Sequence, residues 1–201
     1  MTTLYIVRHG QSEANAAGIL QGSLIDTPLS EKGQVQAKHV RDAFEKKMLH
    51  FDLVFASPLL RAAQTAAIIA PKTTTIFDER LKEFDYGDWD GQKVTDIHRR
   101  FAEFFDEKKN LLPGSEKISH GDDFASITAK LNGFLTELAA KYPTQDILIA
   151  SHGFTIKLLL NAVLGISNLS SLNEPYNAGL TKIELTASTR TLVYFNRDLT
   201  E

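Results

Sequence analysis

Cysteine is absent from the 201-residue chain. Its absence excludes disulfides, thiolate zinc sites, iron–sulfur clusters and every cysteine-nucleophile mechanism, cysteine-based phosphatases among them. An excess of one charge is missing too: 22 Lys and Arg stand against 25 Asp and Glu, for a net charge of −3. That balance suggests neither a nucleic-acid coat nor a membrane-surface binder. No apolar stretch approaches the roughly 18 residues of a membrane span. The first residues run from Met1 straight into a short apolar stretch and Arg8, without a basic segment followed by a long apolar one, so no signal peptide is expected. A cytoplasmic protein with no membrane and no nucleic-acid partner is the expectation. Glycine and proline are sparse, at 12 and 6, and no internal repeat is visible, which excludes collagenous and low-complexity chains. What is there is ordinary globular composition, 43% hydrophobic and 23% charged. One domain over 1–201 accommodates this length, and its core suffices without staples.

Three short apolar runs end abruptly in polar turns: Leu4–Val7 before Arg8-His9-Gly10, Leu53–Ala56 before Ser57-Pro58, and Ile147–Ala150 before Ser151-His152-Gly153. Runs of this kind without alternation suit strands buried on both faces. Each is followed by a helix-like stretch. Ser30 opens one that runs to about Lys47. Ser57 and Pro58 read as N-cap and first helical residue of a second that runs to Ala70. The third spans Phe154 to Leu164. The pattern predicts an α/β fold, a three-layer sandwich with a mostly parallel central sheet and helices on both faces. Gly179–Leu185 and Thr191–Asn196 read as a C-terminal antiparallel hairpin at the sheet edge. Residues 87–124 read as a less regular insertion over the sheet, with a helix from Val94 to Lys109. Helical spacing resumes from Leu131 to Tyr142.

Ligands of open α/β sheets bind outside the carboxyl ends of the strands. Here one strand ends in Arg8-His9-Gly10 and another in Ser151-His152-Gly153, while Arg61 falls in the first turn of the helix after a third. Two arginines and two histidines are thereby expected in one crevice. Arginine presents a fixed fork of donors to phosphate oxygens, glycine admits a ligand close to the backbone, and helix starts favour an anion. A phosphate monoester is the expected guest, and without cysteine the nucleophile is an imidazole nitrogen.

The run Leu4-Tyr5-Ile6-Val7-Arg8-His9-Gly10-Gln11-Ser12-Glu13-Ala14-Asn15 resembles the signature of the histidine phosphatase superfamily, the phosphoglycerate mutase-like family. The resemblance continues through Gln21-Gly22, Asp26–Ser30, Gly33 with Gln36-Ala37, Ser57–Ala66, Glu83–Gly91 and Ser151-His152-Gly153, in the family's order over most of the chain. It implies that His9 attacks phosphorus and becomes phosphohistidine. Arg8, Arg61 and His152 would hold the phosphoryl oxygens, and Glu83 would protonate the leaving oxygen and then serve as base for water. Asn15, Gln21 and Gly22 would line the substrate mouth, and the Gly153 amide would add a phosphate contact. No metal or cofactor is implied, since two arginines neutralise the charge. His9 must be neutral and Glu83 protonated, and apolar Phe84, Tyr86 and Trp89 beside Glu83 favour the protonated form, so activity is expected to peak at about pH 5.5–6.5.

The same site serves phosphatases and mutases. Mutases of this family follow the second His-Gly with Asn-Ser, whereas this chain has Phe154-Thr155, and its 83–124 region is shorter. Both features favour a phosphatase over a bisphosphoglycerate-dependent phosphoglycerate mutase, and Phe154 suggests contact with a less polar or bulkier leaving group. A catalytically silent phosphoryl-binding regulatory protein is the third reading, opposed by the presence of both histidines. Ser119-His120-Gly121 repeats the tripeptide without a strand to aim it, so His120 is expected to stay clear of substrate. Arg99 and Arg100 read as a solvated helix face, and His39, His50 and His98 as solvated side chains. The acidic run Asp88-Trp89-Asp90-Gly91 lacks the ligand spacing of a calcium loop.

Overall fold

The computed structural model describes residues 1–199. Six strands form one sheet in the order β3-β2-β4-β1-β5-β6: β1 Thr2–Arg8, β2 Leu53–Ala56, β3 Thr75–Phe77, β4 Asp146–Ser151, β5 Leu180–Leu185 and β6 Arg190–Arg197. Strands β1 to β4 pair in parallel, while β5 runs antiparallel to both β1 and β6. Seven α-helices accompany them: α1 Glu13–Ala16, α2 Glu31–Lys46, α3 Leu60–Ile69, α4 Val94–Arg100, α5 Glu116–Ser119, α6 Phe124–Lys141 and α7 Gly153–Leu164. None among the described residues is long and apolar enough to cross a membrane.

The unbroken apolar runs have the cause that the sequence suggested. Along β4, Ile147 and Ile149 pack with α6 and α7, while Leu148 and Ala150 turn to the opposite face, against α2 and α3. Residues on both sides of the strand are therefore fully buried, and β1 divides its Leu4 and Ile6 from Val7 in the same way. On α2, Ala37, Val40 and Phe44 face the sheet, and the helix begins where Ser30 accepts a hydrogen bond from Gly33 N–H. The three-layer arrangement, the parallel core and the terminal hairpin are all present.

Several local expectations fail, each for a physical reason. The helix expected over Val94–Lys109 stops at Arg100 and gives way to a 3₁₀ turn at Ala102–Phe104. The chain leaves helical geometry at Phe101, with φ −129 and ψ 39, and Phe101, Phe104 and Phe105 pack on the ring of buried Trp89. Ser57 does not cap α3, which starts at Leu60 with Leu59 at the N-cap. Strand β3 and the one-turn α1 are too short to give a periodic signal, although Ser12 and Asn15 form a capping box on α1. Helix α6 begins seven residues before the expected Leu131, at Phe124, where Asp123 caps it.

One close approach fixes the loop after β1. A Cβ on Gly33 would lie 2.0 Å from the Gln11 carbonyl oxygen, and one on Gly10 would lie 2.3 Å from the Gly33 carbonyl oxygen. The start of α2 and the turn carrying His9 are thus in backbone contact. On a free helix, glycine to alanine stabilises by about 1 kcal/mol. Here Gly33→Ala is expected to destabilise by about 1–3 kcal/mol through overpacking. Urea unfolding checks the sign, and a higher midpoint would show that the loop yields.

Candidate active site

Register brings the site together. Arg8 at the end of β1 pairs with Ser151 at the end of β4, so His9 and His152 are the next residues along two neighbouring parallel strands. Their rings stand 5.1 Å apart between centroids. Ala56 of β2 pairs with Ala150 on the other side of β4, which sets Ser57 beside His152. Ser57 Oγ lies 2.7 Å from His152 Nε2 and accepts from Leu59 N–H at 3.2 Å. Where the Ser57 hydroxyl donates to Nε2, the His152 proton sits on Nδ1. Nδ1 is buried and has no partner.

His9 is buried, with Nδ1 2.7 Å from the Gly10 carbonyl oxygen. A carbonyl only accepts, so Nδ1 carries the proton and Nε2 keeps a free lone pair. Burial, then Arg8, then Arg61 push the His9 pKa well below that of free imidazole. Burial and the charges of Arg61, His9 and Arg8 do the same to His152. Both rings are neutral at ordinary pH.

Arg61 is 0% exposed. Its Nη1 donates to Ile25 O at 2.9 Å and its Nη2 to Gly22 O at 3.0 Å, while Nε has no partner. Asp90 braces those carbonyls, accepting from Gly22 N–H at 2.6 Å and Leu24 N–H at 3.1 Å. Burial raises its pKa to about 6. Arg8 Nη1 donates to Pro175 O at 2.6 Å and lies 3.5 Å from Glu174 Oε2, and its Nε is also buried without a partner.

Glu83 is buried on the far side of the cluster. Its Oε1 accepts from Phe84 N–H at 2.9 Å and Thr155 N–H at 3.0 Å, and Thr155 Oγ1 is also within 3.0 Å. Oε2 has only the long contact with Phe154 N–H at 3.4 Å, so it is the oxygen free to carry and exchange a proton. Burial first and Glu174 second raise the Glu83 pKa, against the lowering by the Phe84 bond, Arg61 and Arg8.

A cavity of about 250 Å³ opens beside these groups, lined by Arg8, Asn15, Gln21, Glu83, Tyr86 and Glu174, with Val94, His98, Phe105, Lys109 and Leu111 across from them. Asn15 and Gln21, expected at the substrate mouth, are among its lining residues. Gly22 does not line it: the residue is buried and holds Arg61 through its carbonyl. Phe154 does not either. Its ring is 1% exposed and packs on Phe84, Tyr86 and Phe124, so it contacts the core rather than a leaving group. Gly153 begins α7, where a Cβ would lie 2.2 Å from Glu174 Oε2 and 2.9 Å from Arg8 Cζ. His120 has a 73% exposed side chain bonded to Asp88 and lies off the cavity. Arg99 pairs with Asp96 and Arg100 with Gln92, both away from it. His98, expected to be solvated, instead packs edge-on to Phe105 on the cavity wall. Sequence reasoning missed Glu174, which lies in a segment without periodicity, and Thr155, whose only signal is its place three residues after His152.

The family model for the histidine phosphatase superfamily (branch 1) matches residues 4–198. The chain belongs to that superfamily. Phosphoserine phosphatase 1 of Hydrogenobacter thermophilus is 32% identical over 168 residues, 83% of this chain and 78% of that protein. The adenosylcobalamin/alpha-ribazole phosphatase of Salmonella typhimurium is 33% identical over 168 residues, 80% and 79% of the two chains. Among solved structures, a mutant phosphoserine phosphatase from Entamoeba histolytica in complex with phosphoserine superposes with a TM-score of 0.83 at 27% identity, covering 98% of both chains. The superfamily relatives named here are thus phosphatases acting on small phosphorylated molecules.

A buried carboxyl with a raised pKa destabilises the fold once it must ionise. Protonated in both states at low pH, it begins to cost stability as pH rises past its unfolded pKa of about 4.3. Glu83→Gln keeps an acceptor toward Phe84 and Thr155 without the charge. The variant is expected to melt at a higher temperature than wild type at pH 8 and at the same temperature near pH 4. A lower melting temperature at pH 8 would mean that the arginines stabilise the Glu83 carboxylate more than burial opposes it.

Proposed function

We propose that the chain is a phosphomonoester hydrolase that works through a phosphohistidine on His9, with neither metal nor cofactor. One observation carries this reading: Arg8 Nε, Arg61 Nε and His152 Nδ1 are three buried nitrogen atoms without partners, contributed by the groups that surround His9. Unsatisfied buried donors are costly, and a phosphoryl group with three acceptor oxygens would satisfy all three at once. The phosphatase relatives and the neighbour holding phosphoserine support the same substrate class.

In the first step His9 Nε2 attacks phosphorus, and the bond to the ester oxygen breaks. That oxygen takes the proton of Glu83 Oε2 and leaves as the alcohol. Charge shifting onto the phosphoryl oxygens is met by Arg8, Arg61 and His152, each such donor contributing on the order of 3–4 kcal/mol to the barrier. In the second step the Glu83 carboxylate takes a proton from water, whose oxygen attacks phosphorus. The P–N bond breaks, inorganic phosphate forms, and His9 and protonated Glu83 are restored. Asn15 and Gln21 offer neutral amides to the alcohol portion.

Hydrolysis of a phosphomonoester panel at pH 6 in EDTA is expected to proceed in wild type and to fall at least about a thousandfold in His9→Ala. Labelled phosphate trapped during turnover should be acid-labile and base-stable, as expected of a phosphoramidate. Phosphoglycerate interconversion that depends on a bisphosphate would identify a mutase instead, and phosphate affinity without turnover a silent binder.

The pH profile follows from the two displaced pKa values. Activity falls on the acid side when His9 takes a proton, at a pH well below that of ordinary imidazole, and on the alkaline side when Glu83 loses one, above the ordinary carboxyl range. Glu83→Gln should abolish the alkaline limb. In single-turnover phosphorylation of His9 it should also slow alkyl esters by about a hundredfold while sparing p-nitrophenyl phosphate, whose leaving group needs little proton donation, whereas the second step slows alike for both. Equal losses on both esters in the phosphorylation step would remove Glu83 from the acid role.

A further inference from the structure

Lys157 is 1% exposed, a cation in the core of α7. Its Nζ donates to Asn110 Oδ1 at 3.0 Å and lies 5.7 Å from the centre of the Phe154 ring. Lysine is rarely buried without a task, because transferring an ammonium group out of water costs several kcal/mol before partners are counted. The chemistry proposed above does not use it.

Asn110 closes a tight turn organised by one carboxylate. Asp106 accepts from the N–H groups of Lys108 and Asn110, both at 2.8 Å, and from Asn110 Nδ2 at 3.0 Å. Asp106 N–H in return donates to Asn110 O at 3.0 Å, and Phe105 and Leu111 bridge as antiparallel neighbours. This turn carries Phe105, Lys109 and Leu111, three residues of the cavity wall opposite Arg8 and Glu83. Lys109 sits at its tip with φ 65, the left-handed region, so its direction depends on the turn keeping this form. The elements packed against Lys157 bring two acidic groups within electrostatic range, Glu174 and Asp106, both of which favour the ammonium form that burial opposes.

We infer that Lys157 is a positioning residue: through Asn110 it pins the Asp106–Asn110 turn, and so holds the wall formed by Phe105, Lys109 and Leu111 at a fixed distance from the phosphoryl cradle. The proposal takes that cavity to be the substrate site, as in the function proposed above. It makes α7 the common frame of both ends of the cavity. His152 precedes the helix, Thr155 holds Glu83 one turn along, and Lys157 anchors the far wall.

The test is hydrogen exchange of the Lys108, Lys109 and Asn110 amides, a readout independent of activity. Lys157→Met and Asn110→Ala should each accelerate exchange there, with the double variant no faster than the faster single one, and Lys157→Arg should restore protection. In kinetics, Lys157→Met should raise KM for p-nitrophenyl phosphate on the order of tenfold, as loss of one positioning contact does. It should leave kcat and inhibition by inorganic phosphate, which reaches only the cradle, within about twofold. Unchanged turn exchange in Lys157→Met would overturn the proposal and reduce Lys157 to a core residue, even with faster exchange in Asn110→Ala, which also loses the Asn110 Nδ2 bond to Asp106. Should Lys157→Met fail to fold, Lys157→Leu takes its place and is read in the same way. Failure of wild type to hydrolyse the ester would instead count against the proposed function, with the exchange result still deciding the pin.

Discussion

The constraint on which the structure depends is the convergence of two guanidinium groups and two imidazoles on one space, with Arg61, His9 and His152 buried and Arg8 partly so. Four protonated groups there would repel one another and lack solvent. The protein resolves this by keeping two of them neutral: burial and the fixed arginine charges push both histidines well below their ordinary pKa. The guanidiniums remain charged and are held by main-chain carbonyls, Gly22 and Ile25 for Arg61 and Pro175 for Arg8. Those carbonyls lie in loops, so the loops must be braced. Asp90 braces one of them, and the contact of Gly10 with Gly33 braces the turn beside it.

Strand register supplies the precision that loops lack. Because β2, β4 and β1 are neighbours in parallel, His9 and His152 follow the paired ends of β1 and β4 in step, and Ser57 follows β2 one residue earlier in register. The serine that the sequence offered as a helix cap has a more exacting use. It holds His152 Nε2 at hydrogen-bond distance and leaves Nδ1 as the ring nitrogen without a partner.

The fold class and the meeting of His9 with His152 were readable in the amino-acid sequence because both are local: buried strands leave unalternating apolar runs, and the residues that follow them are pinned by chain continuity. What eluded reading came from contacts across the sequence. Phe154 is adjacent to Gly153, yet its ring goes to the core because Phe84, Tyr86 and Phe124 are there to receive it. His98 belongs to a charged helical stretch that reads as solvated, yet it lines the cavity with Phe105 packed edge-on against it, a contact seven positions along the chain. Glu174 meets Arg8 across 166 positions, with no pattern near it to announce the meeting.

Glu174 also explains how an acid can be prepared in a site built for an anion. Two arginines close to Glu83 lower its pKa, which would leave it without a proton to give. Burial and the Glu174 carboxylate reverse that balance. A phosphoryl dianion entering the cradle would add negative charge beside Glu83 and satisfy the same arginines. By linkage, an anion that binds more tightly when Glu83 is protonated raises the Glu83 pKa in return. Substrate binding and protonation of the general acid then reinforce one another, while the free product, inorganic phosphate, leaves more readily once Glu83 ionises. In the proposed reaction the charge on the phosphoryl group that His9 would attack is in this way the charge that raises the Glu83 pKa.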